Sequence, residues 1–152
     1  MILQYSKTNL HVKDPVRSNP SDAGLDVFFY PMGGQSDSVT IDPGASVVLG
    51  TGLKFGIPHG YMLEVKNRSS CASKLQLLVG ACVIDSGYKG EVMINLHNVG
   101  RLPRVVSLGD KIAQLVMIPV IHARPQLAKE ESLYDDPICI SARGDGGFGS
   151  TD

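Results

Sequence analysis

Short apolar runs punctuated by glycine and proline fill most of this chain, and few of them carry a helical period. The clearest pattern is Glu91–His97. There Val92, Ile94 and Leu96 fall on one face and Glu91, Met93, Asn95 and His97 on the other, the two-residue repeat of a half-buried strand. Ser46–Leu49, Met62–Val65 and Ile112–Ile121 read as further strands. Between them stand the turn signals Asp42-Pro43-Gly44, Ile57-Pro58-His59-Gly60 and Ser107-Leu108-Gly109-Asp110. Only Ser70–Leu78 and Leu127–Tyr134 have the composition of short helices. Many short strands at regular spacing predict an all-β domain, a distorted jelly roll or β-barrel.

The length of 152 residues suits one domain with a sizeable core, and no internal repeat or interdomain linker interrupts it. Residues 31–38 read as an exposed loop, the candidate surface for a protein partner. The stretch 128–142 reads as an arm leaving the body, which places a β domain at 1–142. The segment 143–152, rich in glycine, has too little to bury and is expected to be a flexible lid.

A net charge of −1 argues against a nucleic-acid surface, which needs a basic excess. No apolar stretch approaches the roughly 20 residues that cross a bilayer, so no membrane association is expected. The first ten residues lack a basic segment followed by an apolar one, so no secretory leader is expected. Cys71, Cys82 and Cys139 form no C-x-x-C pair and leave one over in any pairing, which suits free thiols in the cytoplasm. His11, His59, His97 and His122 are scattered, with no spacing that predicts a zinc site.

Five segments carry candidate chemistry. Asp22-Ala23-Gly24-Leu25-Asp26-Val27 sets a glycine beside a carboxylate at the start of an apolar run, which is also ordinary turn chemistry. Asn67-Arg68-Ser69-Ser70 follows a strand and can open a helix, whose N-terminal N–H groups would join Arg68 and the hydroxyls in an anion site. Its plainer reading is a serine N-cap beside a solvated arginine. Gly80–Glu91 reads as a β-hairpin with Asp85 and Tyr88 at its mouth, able to present backbone donors and acceptors to a base edge. Alternatively, Asp85 only starts a turn and Tyr88 packs. Gly109-Asp110-Lys111-Ile112-Ala113-Gln114 looks like a turn entering a strand, with Gln114 a phosphate-side amide or merely a polar strand residue. In Arg143-Gly144-Asp145-Gly146-Gly147-Phe148-Gly149-Ser150-Thr151, glycine N–H groups, two hydroxyls and one guanidinium suit phosphate oxygens, and Phe148 offers a ring to a base.

Taken in this order, the five segments resemble the five motifs of the trimeric dUTPases (dUTP pyrophosphatases), over nearly the whole chain. The resemblance implies a β-clip-like dUTPase fold, hydrolysis of dUTP to dUMP and diphosphate, Mg²⁺ on the triphosphate, and a homotrimer with shared active sites. It implies that Asp85 is the general base for water, with Gln114 and Arg68 completing the catalytic set. Asp26 would meet Mg²⁺ through water. Arg68, Ser69 and Ser70 would grip phosphates, and Tyr88 would pack under the deoxyribose. The backbone around Gly80, Cys82, Val83, Ile84 and Met93 would read uracil. Arg143, Phe148, Gly149, Ser150 and Thr151 would fold over the nucleotide. The chain departs from the family pattern at Asn67 for proline, Ser70 and Cys82 for glycine, and Gly87 for an acidic residue; at Ser70, close phosphate approach then requires an ordinary φ.

Two other readings are weighed. The related dCTP deaminases also carry Ser-Ser in the second motif. They need a glutamate on the hairpin's second strand, where this chain has the neutral Asn95. A nucleotide-responsive binding protein would not need Asp85 or Phe148, and both are present.

Overall fold

The computed structural model describes residues 1–133, so the expectations for Arg143, Phe148, Gly149, Ser150 and Thr151, and for the end of the arm, lie outside the described residues. The chain divides into two compact units, residues 1–121 and the segment from residue 122 onward. Within the described part of the second unit, the expected helix at 127–134 is a single tight turn, Glu130–Ser132.

The first unit is built from β1 (Gln4–Lys7), β2 (Gly24–Phe28), β3 (Ser38–Ile41), β4 (Ser46–Gly50), β5 (Leu53–Gly56), β6 (Tyr61–Lys66), β7 (Leu77–Val79), β8 (Val83–Ile84), β9 (Met93–Asn98), β10 (Arg104–Ser107) and β11 (Lys111–Pro119). Every described ladder is antiparallel. The strands form four small sheets, ordered β1-β5, β10-β3, β2-β11-β6-β8 and β4-β9-β7. The all-β, distorted jelly-roll expectation holds, although the described ladders do not close into one continuous barrel.

Alternation drives the core. Val92, Ile94 and Leu96 are buried while Met93 and His97 stay exposed, as the two-residue period requires. They meet Leu49 from β4, Leu53 and Phe55 from β5, Leu63 and Val65 from β6, and Leu115 from β11 in one apolar cluster. The turns fall where glycine and proline place them: Ala45 N–H returns to Asp42 O at 3.0 Å, Tyr61 N–H to Pro58 O at 3.1 Å, and Asp110 N–H to Ser107 O at 2.9 Å. Strand β11 carries a bulge where Lys111 faces Phe28 and Ala113 faces Val27, so Ile112 is an extra residue and both Ile112 and Ala113 are buried.

Two expectations are corrected. The helix predicted over 70–78 is a π-helical turn at Cys71–Leu75. Gln76 then takes the left-handed conformation (φ 55°), which stops it, and Leu77–Val79 enter a sheet instead. A short apolar run has no period that separates helix from strand, and pairing with β9 decides the matter. The expected hairpin is also more elaborate. Its legs are β7 and β9, which pair, with Gly80 N–H extending the ladder to Asn95 O at 2.9 Å. The intervening segment swings out to pair β8 with β6.

The loop at 31–38 is a closed turn pinned to the body. Gln35 N–H bonds Met32 O at 2.8 Å, and its side-chain Nε2 donates to Val48 O at 2.7 Å.

Candidate active site

The residues expected to do chemistry gather into two separate clusters. The first lies where β2, β6 and β11 meet. Asp26 points from β2 beside Gln114, its partner across the ladder on β11. Asp26 is 8 % exposed, and each carboxylate oxygen accepts from a cation: Arg68 Nε at 2.8 Å on Oδ1 and Lys111 Nζ at 2.7 Å on Oδ2. Such bonds to a partly desolvated carboxylate are short and charge-assisted. Arg68 Nη1 also reaches Ser70 Oγ at 3.4 Å. Gln114 Nε2 donates to Asn67 O at 2.9 Å and steadies the start of the Asn67–Ser70 segment. Gly24 makes room for that amide, because a Cβ there would lie 2.0 Å from Gln114 Oε1. Gly24 therefore serves close packing inside a strand, not a turn.

The plainer reading of Asn67–Ser70 does not hold. Ser70 makes no side-chain cap, and Arg68 is ion-paired rather than solvated. Ser70 has φ −68° and ψ −37°, ordinary right-handed values, so replacing glycine costs the backbone nothing. Asn67 has work of its own: its Oδ1 accepts Val79 N–H at 2.7 Å, tying β7 to this segment. Ser69 is exposed, and its carbonyl accepts Ser73 Oγ at 2.7 Å. Arg68, Ser70, Lys74 and Lys111 line one side of a cavity of about 410 Å³ whose other walls include Leu77, Leu96 and Val106. Lys111, which the sequence reading gave no role, brings a second cation to this cluster. Its only sequence signal was its place at the turn-to-strand junction before Gln114.

The second cluster surrounds a cavity of about 180 Å³ lined by Val83, Ile84, Asp85, Tyr88, Val92 and Met93. Asp85 opens a turn closed by Tyr88 N–H on its carbonyl at 3.1 Å. Asp85 is exposed, and so are the apolar groups around it: Val83 58 %, Met93 43 % and Tyr88 42 %. The rim of this cavity is therefore largely apolar and open to solvent. Val92 was read only as core; it is also the cavity wall. Gly80 and Cys82 are absent from the lining. Cys82 O is engaged by Val65 N–H at 2.8 Å and Gly80 N–H by Asn95 O, so these two backbone groups hold the fold together. Gly80 is required there because a Cβ would lie 2.2 Å from Asn95 Oδ1.

The two clusters sit apart in one chain. Ile84 pairs with Leu63 in antiparallel register, which sets Asp85 level with Met62, six residues before Arg68 along the β6 direction. At ~3.3 Å per residue the separation is on the order of 15–20 Å.

A third polar cluster lies on the surface. Tyr5 Oη donates to Asp14 Oδ1 at 2.8 Å, and Lys7 Nζ approaches the same oxygen at 3.2 Å. The tyrosine hydrogen bond, then that of the lysine, holds the Asp14 carboxyl below its ordinary range, while the same hydrogen bond to Asp14 pushes the Tyr5 hydroxyl up.

A dUTPase family model matches residues 11–152. The chain belongs to the dUTPase family. A deoxyuridine 5′-triphosphate nucleotidohydrolase of Ehrlichia canis (strain Jake) is 34 % identical to it, covering 99 % of this chain and 92 % of that protein. Among solved structures, the dUTPase of Staphylococcus bacteriophage 80alpha with dUpNHpp superposes with a TM-score of 0.81 at 26 % identity, covering 99 % and 98 % of the two chains. A mutant dUTPase of phage phi11 of S. aureus, described for its coordination of a structural Mg(II) ion, gives a TM-score of 0.76 at 25 % identity, covering 87 % and 99 %. The two solved dUTPases share the fold over most of this chain.

Among the described residues, no helix is long and apolar enough to cross a membrane. No three His, Cys, Asp or Glu side chains among them come together as a metal site; Asp26 is the carboxylate within the cationic cluster.

Proposed function

We propose that this chain hydrolyses dUTP to dUMP and diphosphate, limiting uracil incorporation into DNA and supplying the dTMP precursor. The observation that carries this reading is the division of labour between the clusters. One is a small apolar cavity with a carboxylate at its edge, the other a set of cations and hydroxyls organised by Asp26. The first suits a pyrimidine and its sugar, with Asp85 taking the proton of a water that attacks the α-phosphorus. The second suits phosphates: Arg68, Ser69, Ser70 and Lys111 would stabilise charge growing on the diphosphate leaving group. Gln114 supports the second motif from behind, through Asn67.

Mg²⁺ fits this donor set as an ion brought on the triphosphate. A lone carboxylate already facing two cations is a poor inner ligand, while its remaining lone pairs can accept from metal-bound water. When bound, the ion neutralises phosphate charge, and Asp26 is the residue that would face its water.

The separation of Asp85 from Arg68 supports a shared site. A base must lie within about 3 Å of the proton it takes, and the phosphates of the same nucleotide hang directly from the attacked centre. A backbone span on the order of 15–20 Å favours drawing the two from different chains. We assign the chain to a homotrimer in which one subunit brings the Asp85–Tyr88 cavity, a second the Asp26–Arg68–Gln114 cluster, and a third residues 143–152. In this assignment Arg143, Phe148, Gly149, Ser150 and Thr151 close over the nucleotide, in a cytoplasmic enzyme. The pinned turn at 31–38 is the surface we assign to a protein partner.

Deamination of dCTP is disfavoured by the placement of Asn95. Its Nδ2 donates to Val47 O at 3.2 Å and its Oδ1 partners His97 Nε2 at 2.8 Å, so this neutral amide is a structural tie. The deciding measurement is diphosphate release from dUTP, dTTP, dCTP and UTP with Mg²⁺. Strong preference for dUTP is expected; equal turnover of dTTP or UTP overturns the specificity, and ammonia from dCTP overturns the reaction.

A further inference from the structure

We propose that Glu91 is a positioning residue that sets the preference for deoxyribose over ribose by holding the Tyr88 ring in place. The proposal rests on the nucleotide reading above, in which Tyr88 lies under the sugar.

Tyr88 is 42 % exposed and therefore has little packing to fix it. Its hydroxyl donates to Glu91 O at 2.9 Å, so the tip of the ring follows the backbone at position 91. The ring folds back over Gly90, where a Cβ would lie 2.4 Å from the tyrosine oxygen. The backbone at Glu91 is in turn anchored by its own side chain. Oε1 accepts two successive backbone N–H groups, Thr51 at 3.0 Å and Gly52 at 2.8 Å. Gly52, at φ 68°, allows the two N–H groups to converge on one oxygen, the concave arrangement that backbone amides use for anions. Thr51 is buried and locks the next residue, donating Oγ1 to Val92 O at 2.6 Å while accepting Leu53 N–H at 3.2 Å. Val92 N–H closes on Leu53 O at 2.8 Å. The line therefore runs from the rigid β4–β5 corner, through the Glu91 carboxylate, to the tyrosine that walls the cavity with Asp85 and Met93. Neither the carboxylate nor the corner lines that cavity.

Rejection of an added hydroxyl depends on how firmly the wall is held, and an apolar wall achieves only about 10²-fold at best. Glu91→Ala is expected to lower the dUTP-over-UTP ratio of kcat/KM by roughly tenfold. Glu91→Gln keeps an acceptor for both N–H groups and is expected to restore the ratio. Tyr88→Phe cuts the same line at its other end and is expected to reproduce the loss. In the nucleotide-free protein, a fluorotyrosine label at Tyr88 should shift and broaden in Glu91→Ala but not in Glu91→Gln. Equal losses on both nucleotides, or an unmoved Tyr88 signal, would overturn the proposal. If Glu91→Ala does not fold, Tyr88→Phe decides: an unchanged ratio overturns it. If the parent protein does not hydrolyse dUTP, the substrate reading fails, while the label still decides whether Glu91 holds Tyr88.

Discussion

The Asp26 cluster and the Asp85 cavity are built on opposite principles. Around Asp26 the side chains organise one another: two cations share one carboxylate, and an amide from β11 steadies the segment that carries Arg68. Around Asp85 the backbone does the organising, through the turn to Tyr88 and the anchoring of Glu91, while the functional side chains stand exposed. The first arrangement holds its charges in place through mutual ion pairs. The second leaves an apolar wall open to solvent. Preorganisation matters most where charge changes during a reaction, which under the proposed function is the Asp26 cluster.

The largest effect should come from the exposed carboxylate. Asp85→Asn should lower kcat by ~10²–10⁴-fold with dUMP affinity preserved. A loss under tenfold in steady-state assays would make the base side a mere binding wall. Mixing should sharpen the contrast next. Chains with Asp85→Asn and chains with Arg68→Ala, each nearly inactive, should recover activity when reassembled together, in about a quarter of sites for random assortment of a cyclic oligomer. No recovery, or a monomer by light scattering, would mean that both clusters act within one chain.

Stability offers a smaller test. Asp26→Ala removes the shared partner of two half-buried cations. Breaking a fully buried pair costs about 3–5 kcal/mol, and the partial exposure of Arg68 and Lys111 reduces that to about 1–3 kcal/mol in a urea midpoint experiment. Asp85→Ala should leave the midpoint almost unmoved, because Asp85 is exposed. The smallest effect belongs to the surface pair. Asp14, held low by Tyr5 and Lys7, contributes stability at pH above the ordinary carboxylate value, and this is lost as pH falls through its lowered pKa. Tyr5, pushed up, contributes below its ordinary value, and that is lost as pH rises through the raised one. Tyr5→Phe should flatten both edges of a stability–pH curve while leaving activity untouched.

The long, patterned strands were legible because burial alternates along them, as at Val92, Ile94 and Leu96. β1 was not, since Gln4, Tyr5 and Ser6 are exposed and pair only as an edge beside β5. β8, two residues long, has no period to detect. On the site side, residue type and order singled out the Asp85 turn and the segment that carries Arg68. Lys111 was missed because its partner, Asp26, is 85 residues away, and Glu91 because its partners are backbone N–H groups that no motif records.

The bulge in β11 has a consequence for how this chain can tolerate a change in length. Lys111 and Gln114 are three positions apart, a spacing that in a regular strand would send them to opposite sides of the sheet. The extra residue, Ile112, puts both beside Asp26. Deleting Ile112 would leave the lysine two positions from the glutamine in an unbroken strand, still on the charged side. The cost would fall on the core, which would lose a buried isoleucine. The charged face and the apolar interior thus count residues differently along the same strand, and a single-residue deletion there would read out in melting temperature before it disturbed the arrangement around Asp26.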